Sequence, residues 1–250
     1  GGRARALSSR NERALRRPRF PERFAVCGRF SLHAHPGVIA LQFALSEPPA
    51  FTPHYNIAPT LDVLVIREDA AHVRHAELRK WGLVPYWAKD PKIGAKLANA
   101  RAEAVAEKPA FRSAFRRARC IVPASGFYEW RTIAGKKQPY YIRPAGEGVF
   151  GLAGLMERWG EGDDMLRTCA LITTEPNELM ATIHDRMPVI LAPEDYARWL
   201  DTGAQNAAAV SALESLLRPY PAEQMLAFPV SRKVNVVKNN EPDNLEPVEI

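Results

Sequence analysis

"CIVPASGFYEWRT", residues 120–132, is the stretch that decides the fold class, because it is strand-like along its length and holds an acidic residue among aromatics. Side chains alternate between the two faces of a strand. One face therefore takes Phe127, Glu129 and Arg131, and the opposite face takes Tyr128 and Trp130. A carboxylate among aromatic rings is costly to ionise unless it is paired, so we expect the pKa of Glu129 to be raised. Such a group suits proton exchange near neutral pH.

Further strand-like runs lie on both sides of this stretch. They are CGRFSL, LDVLVI, HVRHAEL, QPYYIRP, VFGLAGLMERW, LRTCALITT, MPVIL and AFPVSRKVNVVKNN. Helices are predicted over 35–45, beginning near Pro36, over about 110–118, in PEDYARWL, opened by Pro193, and in NAAAVSALESLL. Short strands joined by hairpins, with helices grouped rather than alternating, predict an α+β fold. We expect a single domain with a largely antiparallel, barrel-like sheet flanked by helices.

Composition narrows the function classes. With 250 residues and 46% hydrophobic content, the chain can bury a large core. Its three cysteines form no CxxC pair, which argues against a disulfide scaffold or a zinc site and favours a reducing compartment. No apolar run approaches the roughly 20 residues of a membrane span. There is no βαβ rhythm, dinucleotide fingerprint or Walker loop, which argues against a nucleotide cofactor. We expect a cytoplasmic monomer without metal or cofactor.

Positive charge is concentrated in two places. Residues 1–25 hold eight arginines against two glutamates, which equals the net charge of +6 of the whole chain. The remainder is therefore neutral, but residues 79–119 hold eleven lysines and arginines against three acidic residues. This block is either a solvated face or a phosphate-binding surface.

The first residues differ in character from the rest. We expect residues 1–26 to be a disordered basic extension and residues 27–250 to form the folded domain. The extension has the composition of a transit peptide or of a nucleic-acid-binding arm. It is also consistent with a tag at the two leading glycines and a start site placed too far upstream, since a GTG start codon would be translated as Val26. In that case Cys27 becomes the first residue once the initiator methionine is removed.

Four polar residues are candidates for chemistry. They are Cys27, Asn99, Glu129 and His184. Each also has a structural interpretation: Glu129 can pair with a basic neighbour such as Arg131, His184 can cap the segment before the next strand, and Asn99 can be a turn residue. Cys120 and Cys169 lie in apolar runs and are expected to be buried.

Several spaced motifs together resemble one family. CGRF, YNIAPT, WGLVPYWAKD, NARAE, FRRARCIVPASGFYEW and HDRMPVIL occur in that order, from Cys27 to about residue 247. They resemble the SOS response-associated peptidase (SRAP) family, whose attributed role is to crosslink covalently to abasic sites in single-stranded DNA. The resemblance implies a nucleophile at Cys27, surrounded by Asn99, Glu129 and His184. It also implies phosphate contacts from arginines such as Arg29 and Arg101.

The chemistry of an abasic site explains these residue types. Its ring-opened form is an aldehyde, and an N-terminal cysteine carries an amine and a thiol that can close a thiazolidine on it. An α-amino group, with a pKa of about 7.7–8.0, is partly neutral at cellular pH. Glu129 can take up its proton, His184 can protonate the sugar ring oxygen, and Asn99 can orient the reactants. In this chain the Cys27 nitrogen is an amide, so the residues before it must first be removed, and the same site can remove an initiator methionine.

A DNA surface is predicted beside these residues. Lys96, Arg101, Arg112 and Arg116 can continue a phosphate groove from Arg29, and Trp81, Trp87 and Phe127 can stack on bases. The tryptophans can instead be core anchors. The expected partner is single-stranded DNA that contains abasic sites, with a nucleoid-associated location. Two other functions stay open: a cysteine peptidase of other proteins using Cys27, His184 and Asn99, and a non-catalytic single-stranded-DNA-binding module.

Overall fold

The computed structural model describes residues 27–146, 148–203 and 206–250, and within them it has thirteen strands and five α-helices. The predicted extension over residues 1–26 lies outside the described residues. The strands are β1 (Phe30–Leu32), β2 (His54–Ile57), β3 (Asp62–Glu68), β4 (Arg74–Trp81), β5 (Asn99–Arg101), β6 (Arg119–Ala124), β7 (Gly126–Ile133), β8 (Lys136–Pro144), β9 (Phe150–Trp159), β10 (Leu166–Thr174), β11 (Met187–Pro188), β12 (Ile190–Leu191) and β13 (Met225–Pro229). The α-helices are α1 (Pro36–Phe43), α2 (Arg112–Arg117), α3 (Glu178–Ala181), α4 (Tyr196–Leu200) and α5 (Ala207–Glu214). Short 3₁₀ turns cover Pro91–Lys96, Ala102–Ala104, Gly162–Asp164, Pro193–Asp195, Ala222–Gln224, Arg232–Asn235 and Pro242–Leu245.

Five strands close into a barrel. The order is β4-β3-β6-β9-β10, and the ring closes because β10 pairs with both β9 and β4. Every pair in the ring is antiparallel except β4 with β10. The short strands β5, β11 and β12 extend this sheet from β10 and β9. The predicted α+β class with a largely antiparallel, barrel-like sheet is confirmed.

A second antiparallel sheet, in the order β13-β8-β7-β1-β2, packs beside the barrel. The run over residues 120–132 supplies a strand to each sheet: β6 belongs to the barrel, and β7 to the second sheet. The chain changes sheet at Ser125, whose backbone N–H donates to the Ser31 carbonyl at 2.7 Å. The next residue must be glycine-sized, since a Cβ on Gly126 would lie 2.2 Å from the Tyr141 hydroxyl oxygen.

The predicted alternation along β7 is confirmed. Phe127 packs into the main core, while Tyr128 packs on the other face with Tyr141 and two valines near the C-terminus. Glu129 shares the Phe127 face and is buried. This strand therefore carries a carboxylate into the space between the second sheet and the rest of the core.

Other local predictions had mixed outcomes. The first helix begins at Pro36 as predicted, and Cys120 and Cys169 are fully buried. Strand β5 and helix α3 were not predicted. The strand predicted for AFPVSRKVNVVKNN is wrong beyond Pro229, because Arg232–Asn235 is a 3₁₀ turn whose carbonyls are bound by side chains instead of a neighbouring strand.

Arg119, the first residue of β6, links that strand to two helices. Its side chain is buried and donates to four carbonyls: Phe115 at 2.6 Å and Arg116 at 2.9 Å in α2, Trp199 at 2.6 Å in α4, and Asp201 just after α4. Carbonyls at helix C-termini lack partners within the helix. Burial lowers the pKa of Arg119 to about 10, which still leaves it charged at neutral pH.

Replacing Arg119 with methionine is expected to lower the free energy of unfolding by about 3–5 kcal/mol, because several buried carbonyls lose their donor. Arg117→Met, an exposed change in the same helix, is expected to alter it by less than about 0.5 kcal/mol. Urea unfolding at pH 7 measures both. Equal midpoints for Arg119→Met and the parent would contradict the anchoring role.

Candidate active site

The centre of the site is the contact between Cys27 and Glu129. Glu129, only 2% exposed, lies in β7, and its Oε1 accepts the backbone N–H of Cys27 at 2.7 Å. The Cys27 thiol hydrogen-bonds to the same carboxylate. Cys27 is itself buried and has a φ of +50°, which is uncommon for a residue with a side chain. Nitrogen and sulfur of one residue therefore face a single carboxyl group.

Burial governs the protonation of this pair. Desolvation raises the pKa of Glu129, although His184 and the hydrogen bonds from Cys27 act in the opposite direction. This confirms the predicted direction. Desolvation, followed by the negative charge of Glu129, also raises the pKa of the Cys27 thiol well above its usual 9.0. The thiol is therefore protonated at neutral pH and needs a base before it can act as a nucleophile.

His184 approaches Glu129 from the turn before β11. Its Nε2 lies 3.9 Å from Glu129 Oε2, and its Nδ1 accepts the backbone N–H of Arg186 at 3.1 Å. Asp185 Oδ1 is also 3.1 Å from Nδ1, but that side chain is 67% exposed and solvated. The fixed backbone donor therefore sets the tautomer of the neutral ring, with the proton on Nε2 toward Glu129.

Asn99 completes the group of four predicted residues. It lies in β5, which pairs with the C-terminal half of β10, and its Nδ2 donates to the Cys27 carbonyl at 3.5 Å. Cys27, Asn99, Glu129 and His184 thus come together from four separate segments of the chain. Such an arrangement offers an acid–base pair beside a nitrogen and a thiol. Among the described residues, no cluster of three or more histidine, cysteine, aspartate or glutamate side chains could hold a metal ion.

Arg29 is engaged within the protein. Its Nη1 donates to Asn56 Oδ1 at 2.7 Å and to the Val234 carbonyl at 2.6 Å, and its guanidinium lies 5.6 Å from the centre of the Trp130 ring. These contacts fasten the C-terminal segment to β2 and β7. A phosphate contact from Arg29 stays a prediction, and it would have to use the remaining N–H groups.

Two of the predicted stacking residues are wrong. Trp81 is 1% exposed, packs edge-on against Phe30 and donates its Nε1–H to the Ala98 carbonyl at 2.9 Å. Phe127 is equally buried in the core, so neither ring offers a face to a base. Their positions in strands of the closed core explain the error. Trp87, 49% exposed, keeps a free surface.

The predicted cationic residues are on the surface. Lys96, Arg101, Arg112 and Arg116 are all exposed. Arg112 and Arg116 line a cleft of about 520 Å³ together with Arg117 and the exposed ring of Tyr86. Tyr86 was not predicted, although it stands between Pro85 and Trp87 in an aromatic loop. Contacts of this cleft with DNA stay predictions.

Arg186 is the main residue near the site that the sequence reasoning did not single out. Both of its terminal nitrogens donate to the Glu103 carboxylate, at 2.7 and 2.9 Å. Its charge also acts to lower the pKa of the Cys27 thiol, against the larger effect of burial. The sequence feature that could have identified Arg186 is its place in HDRMP, two residues after His184.

Comparison with protein families decides the relationship. The sequence model of the SOS response associated peptidase (SRAP) family matches residues 26–237. The chain belongs to the SRAP family. The match begins one residue before Cys27 and includes Asn99, Glu129 and His184, so it covers the whole site.

Several curated relatives share this SRAP domain. Abasic site processing protein YoqW of Bacillus subtilis (strain 168) is 45% identical over 227 residues, which cover 88% of this chain and 99% of the relative. Abasic site processing protein YedK of Escherichia coli (strain K12) is 32% identical over 198 residues, covering 78% and 84%. Abasic site processing protein HMCES of Xenopus tropicalis is 33% identical over 224 residues, covering 77% and 65%.

Solved structures support the same fold. A crystal structure of a protein from Bacteroides thetaiotaomicron aligns with a TM-score of 0.79 and 28% identity, covering 89% of this chain and 100% of that chain. A second, from Bordetella bronchiseptica, has a TM-score of 0.71 and 26% identity. Within the described part of this SRAP chain, no helix is long and apolar enough to cross a membrane.

Glu129→Gln is expected to stabilise the full chain at neutral pH. A carboxyl group whose pKa rises on folding binds more protons folded than unfolded, so stability falls as pH rises from about 4.5 to the raised value. Between these two pH values, the free energy of unfolding falls by up to about 1.4 kcal/mol per pH unit. The advantage of Glu129→Gln should therefore be absent at pH 4 and largest above the raised pKa.

Urea unfolding between pH 4 and pH 8 measures this difference, with Glu107→Gln as an exposed control. An advantage that does not grow with pH, or one matched by Glu107→Gln, would show that Glu129 is not held in an environment that favours its protonated form.

Proposed function

We propose that this protein captures abasic sites in single-stranded DNA by closing a thiazolidine between the ring-opened sugar and Cys27 with a free amino group. The observation that carries the proposal is the contact of both the nitrogen and the sulfur of Cys27 with the buried Glu129 carboxyl group, the nitrogen at 2.7 Å. The relatives reported above are named abasic site processing proteins, which supports abasic-site DNA as the substrate.

Exposure of the amine is the first requirement. The peptide bond before Cys27 is cleaved when the thiol gives its proton to the Glu129 carboxylate and its sulfur attacks the preceding carbonyl carbon. As the C–N bond breaks, Glu129 passes that proton to the departing nitrogen. Water then hydrolyses the thioester, restoring the thiol and releasing the preceding segment with a new carboxylate. An initiator methionine before Cys27 would leave by the same route. Glu129 is placed for this proton transfer because it is the hydrogen-bond acceptor of that nitrogen.

Capture of the sugar follows in two steps. The neutral amine adds to the C1′ aldehyde, and the carbinolamine loses water to give a protonated imine as Glu129 supplies a proton to the departing hydroxyl. The thiol then adds across the C=N bond: a C–S bond forms, the S–H proton is taken by Glu129, and the nitrogen keeps its one proton. One water is released overall, and Glu129 returns to its starting state.

His184 and Asn99 prepare the substrate and the nucleophile. The Nε2–H of His184 faces the same carboxylate and can donate a hydrogen bond to the sugar ring oxygen, which favours opening to the aldehyde. Asn99 donates to the Cys27 carbonyl and thereby limits rotation about the residue that must present both heteroatoms. The buried, protonated thiol does not favour a general peptidase acting on other proteins, since no histidine contacts the sulfur among the described hydrogen bonds.

A chain that begins at Cys27 is expected to form a denaturant-resistant adduct with an abasic single-stranded oligonucleotide. Its mass should equal that of the two reactants less one water. The matched control is the same chain with the Cys27 α-amino group acetylated, which keeps the thiol but should give no adduct. Cys27→Ser keeps the amine and should give an adduct that survives only after borohydride reduction of the imine.

Denaturing electrophoresis detects the adduct, and mass spectrometry measures its mass. An acetylated chain that crosslinks as well as the free one would rule out the thiazolidine. Cleavage of a fluorogenic peptide at a rate unaffected by acetylation would instead favour the general peptidase.

The cationic cleft is expected to hold the DNA without reading its sequence, because phosphates carry no base information. Arg112→Glu with Arg116→Glu should weaken binding of undamaged single-stranded DNA and reduce the slope of log affinity against log salt by about 1.4, since each phosphate contact contributes about 0.7. Arg131→Glu with Lys136→Glu, in the exposed β7–β8 hairpin, makes the same charge change as a control. Fluorescence anisotropy titrations measure both, and equal losses would contradict a role for this particular cleft.

A further inference from the structure

An ion pair beside the site takes no part in the steps above. The Glu103 carboxylate accepts both terminal nitrogens of Arg186, from Nη1 at 2.7 Å and from Nη2 at 2.9 Å. Bidentate pairing of this kind fixes the relative orientation of the two planar groups as well as their distance. The Glu103 side chain is 55% exposed, while that of Arg186 is mostly buried.

The pair bridges the two walls of the site. Glu103 lies in the 3₁₀ turn that follows β5, the strand of Asn99, and Arg186 lies in the turn before β11. Both strands flank β10 at the same point, because Thr173 is paired with Arg101 on one side and with Pro188 on the other. Arg186 Nη2 also donates to the Thr173 carbonyl at 2.7 Å. The bridge therefore crosses the end of β10 from the Asn99 segment to the His184 segment.

The position of Arg186 bears directly on His184. The backbone N–H of Arg186 is the donor to His184 Nδ1, which directs Nε2 toward Glu129. From this geometry we propose that Glu103 is a positioning residue: by holding Arg186 it fixes the orientation of His184 and its distance from the Asn99 strand. The inference rests on the proposed function, and it adds to it a residue that touches neither Cys27 nor the sugar.

Loss of Glu103 is expected to affect the reaction rate much more than the stability of the fold. The Glu103 carboxylate is more than half exposed and can be solvated by water, and Arg186 keeps its hydrogen bond to the Thr173 carbonyl, so loss of Glu103 should leave the fold intact. A displacement of about 1 Å among reacting groups can nevertheless slow a reaction by about a hundredfold. Partial burial acts to raise the pKa of Glu103, but the hydrogen bonds and charge of Arg186 outweigh it and the pKa is lowered. The carboxylate form needed for the bridge is thus present at neutral pH.

The test compares Glu103→Ala, Glu103→Gln and the control Glu47→Ala, each in a chain that begins at Cys27. Glu47 is an exposed glutamate in the loop after α1 and does not line the cleft of Arg112 and Arg116. The rate of adduct formation is measured against DNA concentration, and ¹⁵N NMR of the His184 ring reports its tautomer without DNA. Glu103→Ala should lower the saturating rate by about tenfold to a hundredfold, with no increase in the half-saturating DNA concentration, because a negative charge has been removed. Its ring shifts should move toward those of a mixture of tautomers.

Glu103→Gln keeps one oxygen acceptor and should lose less activity than Glu103→Ala, and Glu47→Ala should match the parent in every measurement. The inference is overturned by an unchanged rate in Glu103→Ala, by a slower rate with unchanged ring shifts, or by an equal loss in Glu47→Ala. If the parent chain forms no adduct, the proposed function fails, and the ring shifts alone then decide whether Glu103 positions His184.

Discussion

The hydrogen bond from the Cys27 nitrogen to Glu129 is the contact on which the rest of the site depends. A carboxyl group removed from water must either accept hydrogen bonds or keep its proton. Glu129 accepts two hydrogen bonds from Cys27, and its pKa is nevertheless raised. His184 adds a polar group on the opposite oxygen at a longer distance. The balance among these partners leaves the pKa of Glu129 raised, so the group keeps its proton to a higher pH than an exposed glutamate does.

Strand register explains why these two residues meet, although they are 102 positions apart in the chain. Phe30 of β1 is paired with Phe127 of β7 in an antiparallel ladder, so residues before Phe30 run beside residues after Phe127. The Tyr128 N–H donates to the Arg29 carbonyl at 2.9 Å and continues this alignment. The same register leads to Gly28 opposite Glu129, and the next residue back, Cys27, donates its N–H to the Glu129 side chain. A slip of one residue would turn that carboxylate to the opposite face.

The parts predictable from the sequence were those with strong local patterns. Alternation along residues 126–131 identified the buried face of Glu129, and Pro36 marked the start of the first helix. The gathering of four candidate residues followed from the family resemblance, since no local rule brings Asn99 to Cys27. Strand β5 has only three residues, and it exists because β10 offers an edge to it. Trp81 was misassigned because its burial results from closure of the barrel, which a linear pattern does not contain.

The residues that hold the site together are harder to identify from the sequence than those that react. Arg29 sits two positions from Cys27 and would suit a phosphate, yet Asn56 and the Val234 carbonyl occupy its Nη1. Glu103 is exposed and resembles a solvated surface charge, yet its carboxylate binds Arg186, whose backbone N–H donates to His184 Nδ1. Charge and spacing in a sequence identify groups able to bind an anion or donate a proton. Only the packing decides whether such a group faces the substrate or fastens one segment of the protein to another, and Arg29 and Arg186 both hold segments of the protein together.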